Sequence, residues 1–198
     1  MSIHRGIRLE YFSNSWMAVE VAGAVLAGVL AGSFALLAFG ADSMMEFVSG
    51  FVVLQHLRSD SKGSEVRGTG TAKLTSVLVL SLIPIIALSS LFSYLYGIRA
   101  EGSLLGILIA AGAVIVMPFL FLEKRRIGRQ TRSLPLSTDA FASATCLLMS
   151  LVLLGGLLVV YLTGFWWIDI VATAAILAFI GKEGLESFRE ASEQEHVN

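Results

Sequence analysis

Gly40-Ala41-Asp42-Ser43-Met44-Met45-Glu46-Phe47-Val48-Ser49-Gly50 sets two acids four residues apart inside an otherwise apolar stretch. The stretch is long enough to cross a membrane as a helix. Four residues is just over one helical turn, so both carboxylates project from one face. An ionised carboxylate near the bilayer centre costs roughly 2.5–3.5 kcal/mol on insertion scales, and two neighbouring ones repel. A chain that keeps both needs a bound cation, a proton or a water-filled cavity to compensate. No Lys or Arg falls inside the apolar runs to answer them.

The rest of the chain is of membrane type. Of its 198 residues 56% are hydrophobic and 15% charged, with a mean hydropathy of +0.79, whereas soluble domains are about 45–50% apolar. The apolar residues come in long blocks separated by short charged segments, which is the pattern of an integral membrane protein. A net charge of −1 gives no basic field for nucleic acid. The single cysteine, Cys146, rules out an intramolecular disulfide and any zinc-finger spacing. Met1 to Asn14 lacks the apolar core and cleavage site of a secretory signal peptide, so the first apolar run is expected to persist as a helix. No nucleophile–base pair or phosphate-binding glycine loop is present. Neither an enzyme nor an ATP-driven pump is expected, and no haem, flavin or nucleotide cofactor.

The pattern predicts an all-α membrane protein with six transmembrane helices. A segment over residues 1–15 precedes the helical domain, residues 16–184, and a polar tail over 185–198 follows it. Helix one is expected over Trp16–Gly32, with Ala24, Gly28 and Gly32 at a spacing that admits a close neighbour. Glu20 lies one turn inside it and faces either the headgroups or the bundle interior, a structural role at the interface being the preferred reading. Gly32-Ser33 allows a tight reversal, and helix two follows over Phe34–Leu57, with His56 solvated at its end. A polar loop over Arg58–Thr71 leads to helix three, Ala72–Tyr96, with Pro84 at its middle, and helix four, Ser103–Leu122. Both look like scaffold. Glu123-Lys124-Arg125-Arg126-Ile127-Gly128-Arg129-Gln130-Thr131-Arg132 is read as a topology-setting basic segment. Helix five covers Leu136–Leu162. Helix six begins near the aromatic run Gly164-Phe165-Trp166-Trp167-Ile168-Asp169 and ends around Lys182-Glu183-Gly184. Of the 14 Lys and Arg residues only Arg99 falls on the opposite side of this arrangement. The positive-inside rule therefore puts both termini in the cytoplasm.

Helix two enters from the outer side and helix five from the inner side, which brings Asp42 and Cys146 to similar depth, each about 12–15 Å along its helix. Secondary transporters bind substrate near the midplane. Two carboxylates and a thiolate make a plausible divalent transition-metal site, since zinc takes O and S ligands. On helix five, Asp139, Ala142, Cys146 and Ser150 share one face by their three- and four-residue steps.

The stretch from Gly32-Ser33-Phe34 to Asp42-Ser43-Met44-Met45-Glu46 resembles the second-helix motif of the cation diffusion facilitators, the zinc/manganese–proton antiporters. The run from Asp139-Ala140 through Trp166-Trp167-Ile168-Asp169 to Lys182-Glu183-Gly184 is similar to that family's last two helices. The family's fifth helix offers His-x-x-x-Asp, and the matching positions here are Ala142 and Cys146. Asp139 matches an acid often seen just before that motif. The chain reads as a short member with only the transmembrane domain.

The resemblance implies a homodimeric antiporter in an inner or plasma membrane. It would carry zinc or another divalent metal in exchange for protons. The expected ligands are Asp42, Glu46 and Cys146, with Asp139 as a further contributor. The rival reading is a metal-binding membrane sensor or modulator that does not transport, and a weaker one is a scaffold whose acids stay protonated.

Overall fold

The computed structural model describes residues 2–60, 69–97, 99–131 and 134–196. These form six helices and no strand: α1 Ser2–Ala31, α2 Phe34–Asp60, α3 Thr69–Leu95, α4 Leu104–Thr131, α5 Leu134–Thr163 and α6 Trp167–His196. An apolar segment in lipid must satisfy every backbone polar group internally, and a helix does so within one segment. Among the described residues four helices are long and apolar enough to cross a membrane: His4–Ala31, Phe34–Arg58, Leu104–Thr131 and Asp139–Thr163. The expected six-helix membrane architecture is present. The loop expected over Arg58–Thr71 falls largely on residues 61–68, outside the described residues.

α2 is the hub. It packs against α1, α3, α5 and α6, while α4 closes the bundle by packing on α1 and α5. The α1–α2 seam is tight because it is built from small residues: a methyl group at Gly28 would come within 2.9 Å of Leu37, and one at Gly40 within 3.1 Å of Val25.

Three helical hairpins turn at one end of the bundle. Glu101 N–H donates to Ala31 C=O, the Tyr94 and Trp166 rings meet at a tilt of 40°, and Ser33 Oγ donates to Asp169. The first turn is made by Gly32, whose φ of +61° lies in the left-handed region that glycine adopts without a Cβ clash. Ser33 then caps α2, its hydroxyl accepting from Leu36 N–H at 3.2 Å.

Asp169, from the first turn of α6, completes that cap. Its Oδ2 accepts from Phe34 N–H at 3.0 Å and from Ala35 N–H at 3.4 Å. Otherwise-orphaned amides at the start of the central helix are thus satisfied by a carboxylate 135 residues away in sequence. Asp169→Ala is therefore expected to destabilise the bundle by about 2 kcal/mol. Thermal denaturation of the purified protein in detergent checks this. An unchanged midpoint would mean that the cap contributes nothing.

Three helix ends differ from the sequence expectation. α1 starts at Ser2 rather than Trp16, α4 runs to Thr131 rather than Leu122, and α6 runs to His196 rather than Gly184. The cause in α1 and α4 is packing, which extends helices past the purely apolar window. At the end opposite the hairpin turns, Val53, Leu57, Ile127 and Leu136 form a second apolar cluster, and a methyl group at Gly6 would lie 3.5 Å from Leu57, Ile127 and Leu136.

Candidate metal centre

α2 presents Asp42 and Glu46 to the interior, and α5 presents Cys146 against them. One ligand atom from each lies within 4.8 Å of the other two. Asp42 and Cys146 are fully enclosed and Glu46 is 6% exposed. The one-turn spacing on α2 aims both carboxylates at the same point, and the α2–α5 packing brings the sulfur to it. This is the grouping that helical geometry suggested, now closed in three dimensions. Carboxylate oxygen and thiolate sulfur together suit zinc and its neighbours better than magnesium or calcium, which prefer all-oxygen shells.

Asp139 is not in that group. It shares the buried face of α5 with Cys146, as its spacing requires, but sits two turns away toward the end that carries both termini. There it accepts a hydrogen bond from Lys124 Nζ, and Glu10 Oε1 lies 3.6 Å from the same ammonium. Lys124 is 2% exposed and Glu10 fully buried. The absence of a cation from the apolar runs is thus offset by one at the end of α4, inside the helix that was expected to stop at Leu122.

Glu20 faces the bundle interior and not the headgroups, which corrects its reading as an interfacial acid. It is fully buried. Trp16 Nε1–H donates to its Oε1 at 2.6 Å, and Ser43 Oγ–H to its Oε2 at 3.4 Å. Ser43 follows Asp42 in the chain, so this hydrogen bond ties α1 to the turn of α2 that carries Asp42. The four-residue step from Glu20 to Ala24, which is 0% exposed, was the signal for an inward face. Ala142, at the position of the expected histidine, is half-buried and offers no ligand. His56 is half-buried at the far end of α2, its Nδ1 3.3 Å from Val52 O and remote from Asp42.

Residues 16–194 match the family described as the cation efflux transmembrane domain. The chain belongs to the cation efflux family. Comparison with curated proteins gives no match. The matched span contains Glu20, Asp42, Glu46, Lys124, Asp139 and Cys146, so the enclosed α2–α5 group lies within a cation efflux domain. A cation efflux protein is a transporter of cations.

Proposed function

We propose that this cation efflux protein is a secondary transporter that carries a divalent transition metal, zinc first, across an inner or plasma membrane in exchange for protons. The observation that carries the reading is the convergence of Asp42, Glu46 and Cys146 to within 4.8 Å. The three residues supply three ligands and leave the fourth tetrahedral position to water. Catalytic zinc sites keep such an open position, whereas closed structural sites do not. An open position suits a cargo that has to leave.

Charge balance supports the proton term. Among the described residues the buried acids are Glu10, Glu20, Asp42, Glu46, Asp139 and the helix-capping Asp169, against one buried cation, Lys124. An excess of buried charge of one sign is costly in lipid, so protons or metal must make up the difference. Metal ligation requires deprotonated carboxylate and thiolate and therefore releases protons. Reprotonation from the other side would release the metal, with the helices rocking about the fixed site to alternate access. In this account both termini face the cytoplasm, the working unit is a homodimer, and no covalent chemistry takes place.

The test is zinc flux in proteoliposomes under an imposed pH gradient, wild type beside Asp42→Asn. Gradient-driven uptake that disappears in the variant is the expected result. Tight binding without uptake would replace transport by a metal-binding sensor or modulator. Neither binding nor uptake would remove the metal site altogether.

A further inference from the structure

Given the transport function proposed above, the rungs between the metal centre and the termini-bearing end of the bundle have a consequence for the route. From that end inward, the first rung is the apolar plug of Leu57, Ile127 and Leu136 around Gly6. One turn deeper on α1, α4 and α5 lie Glu10, Lys124 and Asp139. One turn deeper again, Asn14 on α1 meets Gly50 on α2, where a methyl group would fall 2.8 Å from Asn14 Oδ1. Ser143, 1% exposed, occupies the same level on α5. The next rung is Glu46, Asp42 and Cys146. Polar side chains thus line every rung between plug and metal centre, and Asp139 stands about 10 Å from Cys146 along α5.

We propose that Glu10 and Asp139 form a second, inner binding site for the transported divalent metal, occupied in this structure by the tethered ammonium of Lys124. The pair already holds a cation, which shows that its geometry accepts one. It holds that cation unevenly. Asp139 takes the hydrogen bond, while the fully buried Glu10 stands off at 3.6 Å from the ammonium. Asn14 is a second, independent sign. Its amide is 8% exposed, and both its oxygen and its nitrogen lack hydrogen-bond partners. A buried carboxamide left unsatisfied is costly, and here it lies on the line from Glu10 to Glu46, where a passing ion or its water would use it.

Lys124 can vacate the pair because a lysine ammonium rides on a flexible four-carbon stem. A metal entering past the plug would replace it at Glu10 and Asp139, then advance past Asn14 to Glu46. The returning ammonium would close the approach behind the ion. Lys124 acts in this scheme as an internal counter-ion and as a gate.

The test counts zinc equivalents bound by the full chain in detergent micelles, by calorimetry. Wild type should bind one equivalent and Lys124→Gln two, and the second should vanish in Lys124→Gln/Asp139→Asn while the first persists. One equivalent in folded Lys124→Gln would overturn the inner site. Should Lys124→Gln yield no folded protein, Asp139→Asn alone decides. A lost relay site predicts flux lower by about tenfold or more with zinc affinity at the metal centre unchanged. Flux equal to wild type, or flux and affinity falling together as for a merely structural ion pair, would overturn it. Retention of the first equivalent in Asp42→Asn would instead contradict the metal centre, whatever the second equivalent does.

Discussion

Asp42→Asn is expected to weaken zinc binding by about 100-fold or more and to abolish pH-driven zinc flux. The substitution keeps the side chain's size and one carbonyl-type oxygen but removes the charge that a divalent ion needs. Changing a residue that only supports a metal ligand already costs about 10–100-fold in affinity. Asp42 is itself one of three converging ligands, so its loss should reach or exceed that range. Competition with a chelator of known affinity measures the change. Glu46→Gln should behave alike, because the two acids share a face and a target. Affinity within threefold of wild type for both variants would mean that the acids are structural. Such a result would also leave the α2 motif without a role.

Lys124→Leu has the second large effect, this time on stability. The ammonium answers Glu10 and Asp139 in a site from which water is excluded, and deleting it leaves two buried acids uncompensated. Breaking a buried ion pair from one side costs about 3–5 kcal/mol, whereas replacing the whole arrangement with neutral groups is often close to neutral. Lys124→Leu should therefore lose about 3–5 kcal/mol. Adding Glu10→Gln and Asp139→Asn should recover most of it. Unfolding in mixed micelles of graded denaturant strength reads both. If the triple variant is no more stable than Lys124→Leu, the loss comes from packing of the lysine stem rather than from charge.

The six helices, the hairpin at Gly32 and the α2 acid pair were all legible in the sequence, because each rests on a local signal. These signals are an apolar run, a small-residue turn and a four-residue spacing. Cys146 was legible for the same reason, since its helix face and depth follow from counting. Lys124 was not. It heads a basic run that looks solvated, yet it continues the buried stripe of Gly106, Ala110, Ala113, Met117 and Leu120 on α4. The three- and four-residue periodicity passes straight through the charged segment, and hydropathy averaging hides it.

Asp139 joined the expected ligands because it shares a helix face with Cys146 and matches an acid placed just before the family's fifth-helix motif. Once α4 extends to Thr131, Lys124 reaches it first. Glu20 was misread for a related reason. An acid one turn inside an apolar run looks interfacial only if the helix begins there, and α1 begins at Ser2. The Asp169 cap on α2 joins residues 135 apart, and no local pattern announces such a pairing.

The central claim is that Asp42, Glu46 and Cys146 bind one metal ion together. X-ray absorption at the zinc edge on the purified, zinc-loaded protein tests it most directly. The account predicts one sulfur at about 2.3 Å with the remaining ligands oxygen at about 2.0–2.2 Å. The sulfur contribution should vanish in Cys146→Ser. A shell of nitrogen and oxygen alone in the wild type, or a sulfur signal that survives Cys146→Ser, would contradict it.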